Sequence, residues 1–176
     1  MSSVLAQPCS IPFVTHSGRN ETYTPDYLVT YAVADIAAGW EPSPLLVEVK
    51  SKEDWKLNWR EWSPKWKAAR RYAAEQGWRF KVMDETRIRT MSLDNIHFLM
   101  EYRDRDVPRE ESDVIVDDVR SLGIAKIDYV LAKHFPGLYR AEGVAHLWHL
   151  IATRRLDCDI GELLGDATEV WVPNGR

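Results

Sequence analysis

The chain has 176 residues, with 23 Lys and Arg against 27 Asp and Glu, a formal net charge of −4, and 45% hydrophobic and 11% aromatic residues. That length suits one domain or two small ones, and the composition excludes a disordered chain, a uniformly basic nucleic-acid coat and a polybasic membrane binder. No apolar run approaches the ~18 residues of a membrane span, residues 1–7 are no signal peptide, and Cys9 and Cys158 read as incidental thiols of a cytoplasmic protein.

In chain order, residues 11–15 form a short apolar run closed by the turn cluster Ser17, Gly18, Arg19 and Asn20. Residues 23–33 alternate aromatic and β-branched side chains, and Pro25 marks an edge or bulge in that strand. Residues 37–44, with Gly39, Pro42 and Pro44, read as a loop, and residues 45–50 as a strand that completes a hairpin. Ser63-Pro64 has the signature of an N-cap followed by proline at the first helical position. From there Trp66, Ala69 and Ala73 recur at helical spacing, Gly77 stops the helix, and residues 78–83 return to strand. This is an α/β unit with one crossover helix.

Beyond Thr90 the pattern becomes mostly helical, with helices over residues 92–103, 108–122, 124–134 and 143–154. Two short β-like runs follow, at residues 155–160 and 168–172, and helices ending in a small hairpin resemble a winged-helix arrangement. The expected division is residues 1–91 and 92–176.

Charge follows the same division. Residues 1–49 hold one Arg against five acids, residues 50–89 twelve Lys and Arg against six acids, and residues 90–176 ten against sixteen. The basic island interleaves Lys52, Lys56, Arg60, Lys65, Lys67, Arg70 and Arg71 with Trp55, Trp59, Trp62 and Trp66. The tryptophans recur at i, i+4, i+7 and i+11, a helical stripe that serves packing better than nucleic-acid contact, and Pro64 splits the stretch into two helical segments. The cations suit DNA phosphates brought to the sheet edge, although arginines also suit acidic partner surfaces. In the helical half, His146 and His149 stand at i, i+3, but with no third ligand at suitable spacing they read as structural.

The chemistry-bearing residues are Asp26 on one strand and Glu48-Val49-Lys50 on the next. Glu48 and Lys50 share a strand face because side chains alternate with period two, and Asp26 can meet them across the hairpin. Two carboxylates and the Val49 backbone carbonyl make a hard oxygen site for Mg²⁺, with Mn²⁺ as substitute. A lysine beside it can orient a water and stabilise charge on a phosphate, which is the equipment for phosphodiester hydrolysis.

The order Pro25-Asp26, hairpin, Glu48-Val49-Lys50, basic helix is the pattern of the PD-(D/E)xK nuclease superfamily. Residues 23–29, 47–50, 66–69 and 77–80, with residues 7–13 ahead of them, resemble more narrowly the TnsA endonuclease of heteromeric cut-and-paste transposons. Residues 146–151 through 168–171 are similar to its C-terminal region. The resemblance implies a restriction-endonuclease-like mixed sheet and a Mg²⁺-dependent endonuclease that cuts the 5′ ends of a transposon. Its expected partners are DNA, a DDE-type transposase that cuts the 3′ ends, and an ATPase regulator held by the C-terminal part. Asp26 and Glu48 would bind metal and Lys50 would serve catalysis. The family's further catalytic glutamate, in a helix upstream of the first strand, has no counterpart before Gln7 and is not carried over. A weakly active or inactive DNA-binding assembly module, and another nuclease of the superfamily such as a junction resolvase, are the alternatives.

Overall fold

In the computed structural model, which describes residues 3–31 and 43–173, the chain divides into two units, Met1–Ile88 and Arg89–Arg176. The β-prone runs of the first unit form strands β1 (Ser3–Ala6), β2 (Ile11–Val14), β3 (Asn20–Tyr23), β4 (Tyr27–Thr30), β5 (Leu45–Val49) and β6 (Arg79–Met83). The main sheet has the order β1-β4-β5-β6, antiparallel except for the parallel pair β5/β6. A parallel pair needs a crossover, and helix α1 (Lys52–Glu75) supplies it. Strands β2 and β3 form a separate antiparallel hairpin.

Residues 23–33 therefore do not make one strand. Tyr23 ends β3, the buried Pro25 breaks the pairing, and the chain re-enters the main sheet as β4. The remainder of that run and most of the expected loop at 37–44 lie outside the described residues.

The helix also departs from expectation, because Ser63 does not begin it. Its N-cap is Ser51, whose hydroxyl accepts from the Asp54 N–H at 3.0 Å, with Glu53 and Asp54 in the first turn where the helix dipole favours acids. Pro64 lies within the helix and has no N–H to offer the Arg60 carbonyl. Two donors replace it: His16 Nε2, from the β2–β3 turn, at 2.7 Å, and the Ser63 hydroxyl at 3.1 Å. The far end follows the sequence. Gly77, at φ +74°, closes a Schellman motif in which Gly77 N–H donates to Ala74 and Trp78 N–H to Ala73. Ala68, Ala69 and Ala73 bring the helix close against Ile11, Tyr23, Leu28 and Leu46, the core of this unit. A short helix, α2 (Glu85–Ile88), follows β6.

The second unit comprises α3 (Met91–Met100), α4 (Arg109–Leu122), β7 (Ile124–Lys126), α5 (Ile127–His134), α6 (Arg140–Ala152), β8 (Asp157–Cys158) and β9 (Glu169–Trp171). The expected helix at 124–134 thus opens as a strand, because residues 124–126 pair with β9 in a sheet of order β7-β9-β8. Ile115, Val119, Leu131, Leu147 and Leu150 centre its core. Gly143 is required there: a Cβ at that position would stand 2.3 Å from the Phe135 ring. His146 and His149 are structural. The buried His146 places Nε2 2.7 Å from the Ser112 hydroxyl, and His149 Nδ1 lies 3.0 Å from the Tyr102 carbonyl. Both cysteines are free thiols.

Removing the His16 donor with His16→Ala should cost about 1 kcal/mol in denaturant melts. The same change in a Pro64→Ala background should cost less than half as much, since an alanine there restores the missing N–H. Burial holds the His146 imidazole below its ordinary value, so it is neutral in the folded unit. The unfolded chain takes the proton more readily, and stability should fall as pH drops from about 6.5 toward the folded-state value. Denaturation at a series of pH values should show that fall in the wild type and a shallower one in His146→Gln.

Candidate active site

The register Tyr27↔Val47, continued by one residue, sets Asp26 opposite Glu48. Directly opposed residues project to one face of the sheet, and Leu28 and Leu46 show that this is the face covered by α1. Asp26 Oδ2 accepts from the Val49 N–H at 2.7 Å, which fixes the carboxyl beside β5. The Glu48 side chain is only 2% exposed and is held from several sides. Tyr23 donates its hydroxyl to Oε2 at 2.6 Å, Lys50 Nζ stands 3.0 Å from Oε1, and Lys65 Nζ approaches the same oxygen at 3.7 Å. Burial, then the bond to Glu48, hold the Tyr23 phenol well above the usual tyrosine range, so it remains a donor.

Lys50 Nζ also donates to the Val49 carbonyl at 3.0 Å. The Val49 carbonyl and Glu48 Oε1 therefore converge on one cationic atom. Together with Asp26 they form an oxygen set that fits a hard divalent cation, and Mg²⁺ commonly uses one or two carboxylates and keeps several waters. Among the described residues there is no group of three or more His, Cys, Asp and Glu side chains suited to a metal. Asp84, just past the end of β6, is committed elsewhere. Its carboxyl accepts from the Thr86 hydroxyl at 2.6 Å and from the Thr86 and Arg87 N–H groups, bonds that hold it below the usual carboxylate range.

Sequence reasoning did not separate the seven cations of α1. Lys65 lies one turn before Ala69 on the sheet-facing side and reaches Glu48. Its ammonium sits over the rings of Tyr23 and Trp62, 5.1 and 5.0 Å from their centroids. Lys52, Lys56, Arg60, Lys67, Arg70 and Arg71 are exposed and form no ion pair with a carboxylate among the described residues. A cleft of about 590 Å³ between the β2–β3 hairpin and α1 sets Lys67 and Arg71 beside Phe13 and Pro64.

The tryptophans divide in the same way. Trp62 lies under Lys50 and Lys65 and meets Trp66 edge-on at 5.7 Å, Trp66 packs against the core, and Trp59 is half exposed beneath Arg60. Tyr23, Trp62 and Lys65 thus join Asp26, Glu48, Val49 and Lys50 at the site. The only sequence signal for Lys65 was its i, i+4 relation to Ala69.

A family model described as TnsA-like endonuclease N terminal matches residues 2–85, and one described as TnsA endonuclease C terminal matches residues 87–160. No curated protein matches the chain. Among the described residues no helix is long and apolar enough to cross a membrane.

The Tyr23 hydroxyl is the only uncharged partner of the buried Glu48 carboxylate named above. Tyr23→Phe should lower unfolding stability by about 2 kcal/mol, the scale of a hydrogen bond to a charged group, in equilibrium denaturation followed by far-UV circular dichroism.

Proposed function

The chain belongs to the TnsA endonuclease family, a nuclease family of transposition, and from that premise we propose that it cuts DNA at the 5′ ends of a transposon by metal-assisted phosphodiester hydrolysis. The convergence of Glu48 Oε1 and the Val49 carbonyl on a single cationic atom, with Asp26 tied to the same strand, carries the reading. Asp26, Glu48 and the Val49 carbonyl would hold Mg²⁺, or Mn²⁺ in its place. Bound there, the cation would polarise the scissile phosphate and make a water a better nucleophile at neutral pH.

The chain's own groups do the rest. Tyr23 orients Glu48 by donating its hydroxyl to the carboxylate. Lys50, on the flexible side chain nearest the oxygens, can turn its ammonium to the phosphate, where it orients the attacking water and offsets charge on the phosphoryl oxygens. The exposed cations Lys52, Lys56, Arg60, Lys67, Arg70 and Arg71 would neutralise backbone phosphates, positioning the duplex without reading its sequence. Those among them that line the cleft with Phe13 offer a backbone both charge and an apolar floor.

The second unit fits the partner-binding role. Its order α4-β7-α5-α6-β8-β9, with β7 paired to β9, supports a winged-helix reading. The buried face of α6 and the exposed acids Glu110, Asp113 and Asp117 of α4 favour protein partners over a DNA groove. In this reading the unit holds the ATPase regulator, and a DDE-type transposase cuts the 3′ ends in the same complex.

Nicking of transposon-end DNA, assayed with the transposase present in Mg²⁺, should fall at least ~100-fold in Asp26→Ala and in Glu48→Ala. DNA retention in a mobility-shift assay should be unchanged in both. Cleavage that survives both substitutions would make the protein a non-catalytic assembly subunit instead.

A further inference from the structure

The site at rest is already electroneutral. Two carboxylates, Asp26 and Glu48, are balanced by two ammoniums, Lys50 and Lys65, and both ammoniums lie on the same Glu48 oxygen. The two lysines are not equivalent. Lys50 also contacts the Val49 carbonyl, so it stands among the oxygens that would hold a cation. Lys65 comes from a different element, its side chain is 19% exposed, and its ammonium is seated on the rings of Tyr23 and Trp62. Those rings are anchored in turn: Tyr23 is bonded to Glu48, and Trp62 is packed edge-on against Trp66. A cation held by two aromatic faces and a carboxylate is fixed in place, whereas Lys50, whose backbone is bonded to Met83 and whose ammonium has one ring beside it, can withdraw by turning its side chain alone.

We propose that Lys65 is a positioning residue of the nuclease centre: a fixed counter-cation that keeps Glu48 oriented and sets the divalent cation concentration at which the site loads. The inference rests on the metal-centre reading above. When Lys50 turns away, Lys65 still neutralises part of the Glu48 charge, and a divalent cation entering beside it meets a like charge within a few ångströms. Beside a carboxylate that is only 2% exposed, water screens that repulsion poorly. Lys65 therefore weakens cation binding, the opposite of what a residue that merely supports the fold would do.

Calorimetric titration of MnCl₂ into the full chain without DNA tests this. Lys65→Met should bind Mn²⁺ on the order of tenfold more tightly than wild type, and Lys65→Arg, which keeps the charge, should stay within about threefold of wild type. Lys65→Gln is a second neutral variant should methionine disturb folding, and thermal melts monitor that. Unchanged or weaker binding in the neutral variants, or equal tightening in Lys65→Arg, overturns the proposal. Glu48→Gln separates the two levels of the argument. If wild type and Glu48→Gln give the same titration, the metal-centre reading fails and this inference with it. If binding depends on Glu48 but not on the charge at position 65, the inference alone fails.

Discussion

Taking the Glu48 carboxylate almost wholly out of water is the constraint around which the N-terminal unit is arranged. A buried ion costs several kcal/mol unless partners and hydrogen bonds replace its hydration. Each partner comes from a different element: Tyr23 from the end of the β2–β3 hairpin, Lys50 from the chain just past β5, and Lys65 from the middle of α1. The hairpin stands outside the main sheet, yet it is tied to the unit by this carboxylate, by the His16 bond to α1 and by the apolar contacts of Ile11 and Tyr23. Burial that is costly for the fold is useful for chemistry, because the same low-dielectric pocket strengthens whatever electrostatic work is done in it.

Helix α1 has two chemical sides. Toward the sheet it presents alanines, two tryptophans and one lysine. Toward solvent it presents a row of cations that outnumber the helix's own acids and form no ion pair among the described residues. The net charge of −4 thus averages an acidic pair held inside the first unit, a basic outer helix face and an acidic second unit. A polyanion would meet the first unit at α1, whereas the second unit carries an excess of acids over Lys and Arg.

Much of this was legible in the sequence, because it rests on rules of short range. Period-two alternation set Glu48 and Lys50 on one face of β5, the crossover followed from strand, helix, strand, and Gly77 marked the C-terminal stop of α1. What was not legible depends on partners far along the chain. Ser63-Pro64 has the local grammar of a helix start, yet the helix runs through it, with donors from the β2–β3 turn and from Ser63 in place of the missing N–H. Residues 124–126 carry no strand signal of their own and extend only because β9 pairs with them. Lys65 was indistinguishable from its six basic neighbours until α1 was laid against Glu48. Tyr23 looked like one more β-prone aromatic.

The bond from His16 to the Arg60 carbonyl also couples two stretches of the chain that lie far apart in sequence. With Pro64 in place, the Arg60 carbonyl takes its hydrogen bonds from His16 and Ser63 instead of from a backbone N–H, so a change at either donor is felt within α1. A substitution in the β2–β3 turn therefore acts on the middle of α1, in the turn that leads to the lysine reaching Glu48.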